Sequence, residues 1–353
     1  MARKFSISFF MLLLSWVFFN QAFGFKFSAA ALNLQRNGLS SGKVAVIVPI
    51  YNTDPFLEEC LQSLKNQTYE DLEVILINDG STDKSGKIAR GYSESYENFH
   101  LLEQKNMGVS AARNNGLREA FRLHANFVSF VDSDDWVNKD YIKKMVSASV
   151  KHNSEVVVCR SIGKKTNFAK ERIYDSPTSF LKDERINSIF VHHKLYKLSL
   201  LHDGSGNLIT FPEKIKYGED AAWHEVVSSG SKRFVTLPQD LYFYRQHRRG
   251  SANTSMNKVT KAKEQVKEIC WVCEKIKSLN RREMDDFNFD KIFNFYFKKI
   301  CYLNDEDSDK KALASRLLKN IYNLEVSEGK LQKQSEKIKI LKRFSDYTPS
   351  LSA

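Results

Sequence analysis

Short apolar runs alternate along the chain with segments whose apolar residues recur at helical spacing. The runs occupy residues 44–51, 72–77, 99–102 and 127–131. Between the first two runs, Leu57, Leu61 and Leu64 recur at the spacing of one helix face. This alternation predicts an α/β fold, in which βαβ units form a mostly parallel sheet that is covered by helices on both faces.

Polar, turn-forming clusters follow three of these runs, where the predicted strands end. They are Tyr51-Asn52, residues 79–83 and residues 132–135. Ligands of parallel α/β sheets bind beyond the carboxyl ends of the strands, so we expect these clusters to form one pocket. The sequence lacks both the Gly-x-Gly-x-x-Gly turn and the Gly-x-x-x-x-Gly-Lys loop. Phosphate is therefore expected to be held by a metal ion and basic side chains, Arg113 among them.

The sequence Phe127-Val-Ser-Phe-Val-Asp-Ser-Asp-Asp-Trp136 places three carboxylates directly after a buried strand. Asp132, Asp134 and Asp135 raise one another's pKa and resist desolvation. A divalent cation such as Mg²⁺ or Mn²⁺ removes that cost, because it takes one or two carboxylates and substrate phosphates as ligands. The alternative is a solvated acidic turn that caps the following helix.

The composition is that of a globular protein with anionic partners. Of the 353 residues, 42% are hydrophobic and 27% are charged, and the formal net charge is +12. Such a charge favours phosphorylated small molecules, acidic membrane surfaces or nucleic acid. Nucleic acid has the least support, because the sequence carries no aromatic stacking motif or recognised binding module.

The five cysteines are an odd and sparse set, which does not suggest a disulfide framework. Cys270-Trp-Val-Cys273 has the spacing of metal ligands, but no second pair of cysteines or histidines accompanies it. Packing of both side chains within a helix is therefore expected rather than a zinc site.

The first 42 residues are expected to be a leader rather than part of the fold. Basic residues precede an apolar run at residues 5–19, and small residues up to Gly24 suit cleavage of a signal peptide. If it is not cleaved, the run is a short membrane anchor. Because no acid precedes Asp54, a signal peptide followed by a plastid transit peptide is an alternative. A cytoplasmic location follows if the leader is not translated.

Four motifs occur in order, and each lies at a predicted strand end or helix start. They are Val46-Ile-Val-Pro-Ile-Tyr-Asn52, Asn78-Asp-Gly-Ser-Thr-Asp83, Gly108-Val-Ser-Ala-Ala-Arg-Asn114 and Val131-Asp-Ser-Asp-Asp-Trp136. Together they resemble the successive motifs of family 2 glycosyltransferases, over residues 43–255. The resemblance implies the GT-A fold and inverting transfer from a nucleotide sugar, UDP-linked in most relatives, to a hydroxyl of a glycan, lipid or protein. The Gln-x-x-Arg-Trp motif of processive polymerases does not occur, which favours transfer of one sugar per encounter.

The resemblance also implies roles for the residues that hold the nucleotide. Pro49 and Tyr51 are expected to line the nucleoside pocket, with Tyr51 beside the base. Asp79 is expected to accept a hydrogen bond from the base, and Arg113 to lie against the base and the diphosphate. Each role is an expectation from the resemblance rather than from residue spacing.

The acidic residues take the remaining roles in this resemblance. Asp132 is expected to face the ribose or the sugar, and Asp134 to bind Mn²⁺ or Mg²⁺ that bridges the diphosphate oxygens. Glu219 and Asp220 precede a helix predicted near Ala221, where carboxylates are favoured, so capping alone is one explanation of the pair. In the family such a pair supplies the catalytic base, and Asp220 is assigned that role.

Two further segments resemble the family. Residues 242–251 resemble the loop that closes over the donor, so Arg245, His247 and Arg248 are expected to meet the diphosphate, and His247 to join the metal ion. A basic surface loop is the alternative. His192-His-Lys-Leu-Tyr196 resembles a Lys-Leu-Tyr segment that relatives usually precede with Trp-Asn. The two histidines depart from that pattern and are expected to be structural.

The sequence thus predicts four parts. They are a leader (1–42), a GT-A domain (43–255), a Lys-rich helical extension (256–345) and a frayed tail (346–353). The extension is expected to pack on the catalytic domain, or to bind the acceptor or an anionic lipid surface. The alternative function is a non-catalytic nucleotide-sugar-binding or scaffold protein that has kept the pocket.

Overall fold

The computed structural model describes most of residues 42–246 and eight positions beyond them. The described residues are 42–163, 166, 168–183, 190–203, 205–246, 264, 268, 271, 272, 275, 276, 278 and 279. The predicted leader, the tail and most of the helical extension lie outside the described residues, as do Cys270 and Cys273.

The described chain alternates strands and helices as the hydrophobic pattern predicts. The strands are β1 (Val44–Ile50), β2 (Leu72–Asp79), β3 (Phe99–Gln104), β4 (Phe127–Phe130), β5 (Trp136–Val137), β6 (Val156–Ile162), β7 (Arg172–Tyr174), β8 (Lys194–Lys197) and β9 (Phe234–Phe243). The helices are α1 (Asp54–Lys65), α2 (Ser85–Ser95), α3 (Val109–Arg122), α4 (Tyr141–His152), α5 (Pro177–Lys182) and α6 (Glu219–Ser228), with a 3₁₀ turn at Leu198–Leu201.

These strands form one mixed sheet in the order β3-β2-β1-β4-β8-β6-β9-β5, and β7 pairs with β9. Strands β3, β2, β1 and β4 are parallel to one another, and so are β6 and β9. Strand β8 runs antiparallel between β4 and β6. The predicted α/β fold with a mostly parallel sheet is confirmed.

The two faces of the sheet explain why its central strands are apolar throughout. Every residue of β1 is buried. Successive side chains of a strand point to opposite faces, so Ala45 and Ile47 enter one core cluster and Val46 and Val48 enter the other. Helices α3 and α6 contribute to the first cluster, and α1, α2 and α4 contribute to the second.

Helix α3 lies unusually close to β1, which fixes the position of the site. A side chain at Gly116 would collide with Ile47, so only glycine allows this approach. The helix begins after Gly108, whose φ of +90° also favours glycine. Arg113 is thereby held one turn into a helix that starts at the carboxyl edge of the sheet.

Described residues of the extension contact the core. Val272 and Ile276 are buried in the same cluster as Trp223. The Lys216 backbone N–H donates to Glu264 Oε2 at 2.7 Å, just before α6. Within the part of the chain that the structure describes, no helix has the length and apolar character needed to cross a bilayer.

Candidate active site

The ends of β1 and β2 are tied together by hydrogen bonds at the carboxyl edge of the sheet. The Asn52 N–H donates to Ser81 Oγ (3.2 Å), and the Thr82 N–H donates to Asn52 Oδ1 (2.8 Å). Asn52 adopts a left-handed conformation with φ of +50°, which turns the chain sharply after Tyr51. Tyr51 is 45% exposed at this rim, whereas Pro49 is buried within β1. An exposed aromatic ring at the edge of the pocket suits the predicted contact with a base.

Asp79 joins the end of β2 to the start of α3. Its side chain is buried, and Oδ1 accepts from Gln104 Nε2 (2.7 Å) and from the Met107 N–H (2.8 Å). Oδ2 accepts from the Gly108 N–H (2.9 Å). A carboxylate offers about four acceptor positions, so capacity for another donor is left. The predicted hydrogen bond from Asp79 to the base stays a prediction.

Arg113 lies between two carboxylates that come from distant parts of the chain. Nη2 is 3.2 Å from Asp132 Oδ1, and Nη1 is 3.0 Å from Glu219 Oε1. The arginine side chain is only 6% exposed. Burial lowers the pKa of Arg113, but the charges of Asp132 and Glu219 outweigh it and hold the pKa above its ordinary value. This buried ion cluster links the acidic turn after β4 to the beginning of α6.

The three acids of the turn differ in exposure, because Asp135 is buried whereas Asp132 and Asp134 are half-buried. Asp135 is buried, and its two oxygens accept from the Tyr242 hydroxyl (2.6 Å) and the Arg245 N–H (2.8 Å). Burial, followed by the charges of Asp132 and Asp134, raises the pKa of Asp135 to about 8. Sequence reasoning noted this third acid without giving it a role, and its burial depends on Tyr242, which is remote in sequence.

The pKa of Asp132 shifts in the opposite direction from that of Asp135. Burial acts to raise the pKa of Asp132, but His192 and Arg113 hold it well below its ordinary value. His192 Nδ1 lies 3.6 Å from Asp132 Oδ2, so the histidine that was expected to be only structural faces a predicted site residue. Its departure from the relatives' Trp-Asn pattern was the available sequence signal.

The donor set of this turn fits a divalent cation that shares its ligands with a substrate. Among the residues that the structure describes, no three His, Cys, Asp or Glu side chains are arranged to hold a metal by themselves. Mg²⁺ and similar ions bind through one or two carboxylates together with phosphate oxygens. The half-buried Asp134 meets that requirement, because its carboxylate is accessible to a substrate.

Glu219 and Asp220 occupy the first two positions of α6, as predicted from their place before Ala221. The Glu219 side chain pairs with Arg113, while Asp220 Oδ1 accepts from the Ala221 N–H at 2.9 Å. Burial, and next the neighbouring charge of Glu219, raises the pKa of Asp220 to about 7. A carboxyl group with such a pKa is matched to accepting a proton near neutral pH.

Arg245 holds the acidic turn from the other side. Its Nε donates to the Asp134 carbonyl oxygen (2.8 Å), and Nη2 pairs with Glu59. The guanidinium also lies over the Phe56 and Trp136 rings, at 4.8 and 4.7 Å from their centroids. Contact of Arg245 with a diphosphate stays a prediction. His247 and Arg248 lie outside the described residues.

The mixed sheet, with an acidic turn and a carboxylate pair at one edge, defines the GT-A class of fold. The fold is shared by TarS from S. aureus in complex with UDP-GlcNAc, with a TM-score of 0.57 and 21% identity over 86% of this chain and 79% of that one. Residues 45–209 match Glycosyl transferase family 2, the family that the motifs of the chain resemble.

Curated relatives agree with this assignment. The chain is 33% identical over 228 residues to glycosyltransferase GlyA of Streptococcus pneumoniae, covering 59% of this chain and 31% of the relative. It is 32% identical over 216 residues to uncharacterized glycosyltransferase EpsJ of Bacillus subtilis, covering 58% of this chain and 61% of the relative. The chain therefore spans less than two thirds of the length of either protein.

Proposed function

We propose that this protein is a metal-dependent, inverting glycosyltransferase that moves one sugar from a UDP-linked donor to an acceptor hydroxyl. The observation that carries the proposal is the position of Asp220. It has a pKa of about 7 and stands beside Glu219, which Arg113 connects to the acidic turn. A direct displacement requires a base close to the turn that holds the donor, and the ion cluster around Arg113 brings the two together.

The donor side of the pocket is assigned to the strand ends. Pro49 and Tyr51 line the nucleoside pocket, with Tyr51 beside the base, and Asp79 accepts a hydrogen bond from the base. Arg113 lies against the base and the diphosphate, and Asp132 faces the ribose or sugar. Support for a UDP-linked donor comes from TarS, whose structures contain UDP and UDP-GlcNAc. The exposed Tyr51 ring and the remaining acceptor capacity of Asp79 are compatible with uracil.

Asp134 is assigned to hold Mn²⁺ or Mg²⁺. When bound, this ion neutralises charge on the departing nucleoside diphosphate. Arg245 supports metal binding indirectly, because its hydrogen bond to the Asp134 carbonyl oxygen fixes the backbone of the turn. Arg245 and His247 are also assigned to the diphosphate, as the resemblance of residues 242–251 implies.

Asp220 takes the proton of the acceptor hydroxyl while that oxygen attacks the anomeric carbon. The bond from that carbon to the diphosphate oxygen breaks as the new glycosidic bond forms, so the configuration inverts. Glu219 is held by Arg113, and its charge raises the proton affinity of Asp220. Within the pair, Glu219 is thus anchored to Arg113 and Asp220 accepts the proton.

The acceptor is assigned only by class, as a hydroxyl of a glycan, lipid or protein. The relative TarS of Staphylococcus aureus, 30% identical over 218 residues, is named a poly(ribitol-phosphate) β-N-acetylglucosaminyltransferase. The net charge of +12 also favours an anionic acceptor or membrane surface.

We propose that the leader directs the protein to the secretory pathway, anchors it in a membrane or directs it to a plastid. Imaging of a C-terminal fluorescent fusion distinguishes these locations.

The test is UDP release by the full chain from a panel of UDP-sugars, with and without Mn²⁺. We expect release that depends on the metal, and none from Asp220→Asn. Calorimetry with UDP separates binding from turnover. Tight UDP binding by the wild-type protein without turnover of any donor or acceptor would favour a non-catalytic nucleotide-sugar-binding protein instead.

A further inference from the structure

His192 is fixed in place by both its backbone and its ring. Its backbone bridges to Phe130 at the end of β4, directly before the acidic turn. The side chain is only 3% exposed. The ring stacks against Phe190 and Tyr242, with centroids 5.1 Å away in both cases. Such a ring has little freedom to move, so the direction of its Nδ1 edge is set by the fold.

That edge faces the second oxygen of Asp132. Arg113 Nη2 lies 3.2 Å from Oδ1, and His192 Nδ1 lies 3.6 Å from Oδ2, an ion-pair distance rather than a hydrogen bond. The Asp132 backbone N–H donates to the hydroxyl of Tyr242, the residue on which His192 stacks. Asp132 is 27% exposed, whereas the two groups behind it are almost completely buried. Asp132 is therefore the most accessible of these three side chains.

We propose that His192 is a positioning residue for donor binding, which holds the Asp132 carboxylate so that its exposed edge accepts from a hydroxyl of the donor's ribose or sugar. The inference rests on the proposed function, because it assigns the pocket to a nucleotide sugar. Aspartate χ2 is a broad torsion, so a carboxylate held only at Oδ1 by Arg113 samples other orientations. Holding both oxygens removes that freedom before the donor arrives.

The ring and the nitrogen of His192 make separable contributions. A phenyl ring keeps the stacking on Tyr242 and loses the nitrogen that faces Asp132. An asparagine places an amide N–H near the position of Nδ1 and loses the ring. Comparison of His192→Phe with His192→Asn therefore distinguishes positioning from packing.

The experiment measures donor KM, kcat and the dissociation constant of a UDP-sugar for full-length variants, together with their thermal unfolding. We expect His192→Phe to raise donor KM and the dissociation constant about 10-fold, because Asp132 loses the nitrogen that faces Oδ2 and the donor must then order the carboxylate. The value of kcat should stay within about twofold, because the contact serves the bound donor and the transition state equally. His192→Asn should stay within about threefold of wild type in donor affinity.

The matched controls are His100→Phe and His100→Asn. His100 bonds to Glu73 at 2.7 Å on the β2–β3 side of the sheet, and neither control should change donor affinity. A packing role for His192 gives the reverse order, with the asparagine variant weakened and the phenylalanine variant normal, and this order overturns the proposal. A fall in kcat without a change in donor affinity in His192→Phe also overturns it. Absent turnover with intact donor binding contradicts only the proposed function, because the binding constants still test His192.

Discussion

The guanidinium of Arg113 and the carboxylate of Glu219 form a 3.0 Å ion pair between residues 106 positions apart in sequence. Both side chains are largely buried. The pair brings the first turn of α3 against the first turn of α6, and so places the proposed base near the acidic turn.

Arg113→Lys should lower transfer by about 10- to 100-fold while the protein stays folded. A lysine keeps the charge, but a single ammonium group does not bridge Asp132 and Glu219 in the way that the arginine fork does. The lost bond to a charged group sets the size of the effect. UDP release and circular dichroism measure it. Arg122→Lys on the same helix is the control, because that side chain is 66% exposed and its ion pair is with Glu119 rather than with a site residue.

The pH dependence of kcat/KM should report on Asp220. The pKa of this group is raised to about 7, and only its deprotonated form accepts the hydroxyl proton. Activity should therefore rise with pH and level off above about 7. A rate that stays constant between pH 5 and pH 8, after donor binding is shown to be constant, would contradict the assignment of Asp220 as the base.

Asp220→Asn should abolish transfer and also stabilise the fold above neutral pH. The folded pKa lies above the ordinary value of 3.8, so ionisation of Asp220 costs stability as the pH rises towards 7. Asparagine removes that cost. We expect a higher Tm for the variant at pH 8, by a few degrees, and no such gain at pH 4. A variant that is less stable at pH 8 would show that Asp220 stabilises the fold.

Asp134→Ala should remove the metal response and leave the fold intact. Transfer should fall by about 100-fold or more, because the charge on the departing diphosphate is no longer neutralised. In thermal unfolding with UDP, the additional stabilisation by Mn²⁺ should disappear. Asp71→Ala, at an exposed acid before β2, is the control. Retention of the Mn²⁺ effect in Asp134→Ala would place the ion elsewhere.

Tyr242→Phe should lower the free energy of unfolding by about 1–3 kcal/mol, because buried Asp135 loses its 2.6 Å hydrogen bond. Chemical denaturation measures this change. Tyr96→Phe is the control, because the Tyr96 ring packs against Tyr92 and Phe99 without a hydroxyl hydrogen bond among the described residues. An equal loss of stability in both variants would mean that the hydroxyl of Tyr242 contributes nothing specific.

The sequence was sufficient to predict the parallel half of the sheet. Strands β1 and β2 are buried almost throughout, so their apolar runs stand out against the helical spacing of α1. The antiparallel β8 and the two-residue β5 escaped prediction, because runs so short have no periodicity. Strand β8 is placed by pairing with β4 and β6 rather than by its own pattern.

Prediction of the site depended on how local each feature is. Asp79 ends β2, and Asp132 and Asp134 come shortly after β4, so position along the chain was enough to place them at one edge. The hydrogen bonding of buried Asp135 depends on Tyr242, 107 residues away. The position of His192 beside Asp132 depends on its backbone pairing with the end of β4. The pattern of nearby residues does not predict such long-range contacts, and the only signal for His192 was its departure from the relatives' Trp-Asn pattern.

The most direct test of the proposed donor site is a crystal structure of the full chain with UDP and Mn²⁺. We predict a uracil ring beside Tyr51 and Asp79, with the diphosphate near Arg113 and a metal ion shared between its oxygens and Asp134. UDP bound at any other surface, or a metal ion that Asp134 does not contact, would contradict the claim that these residues form one donor site.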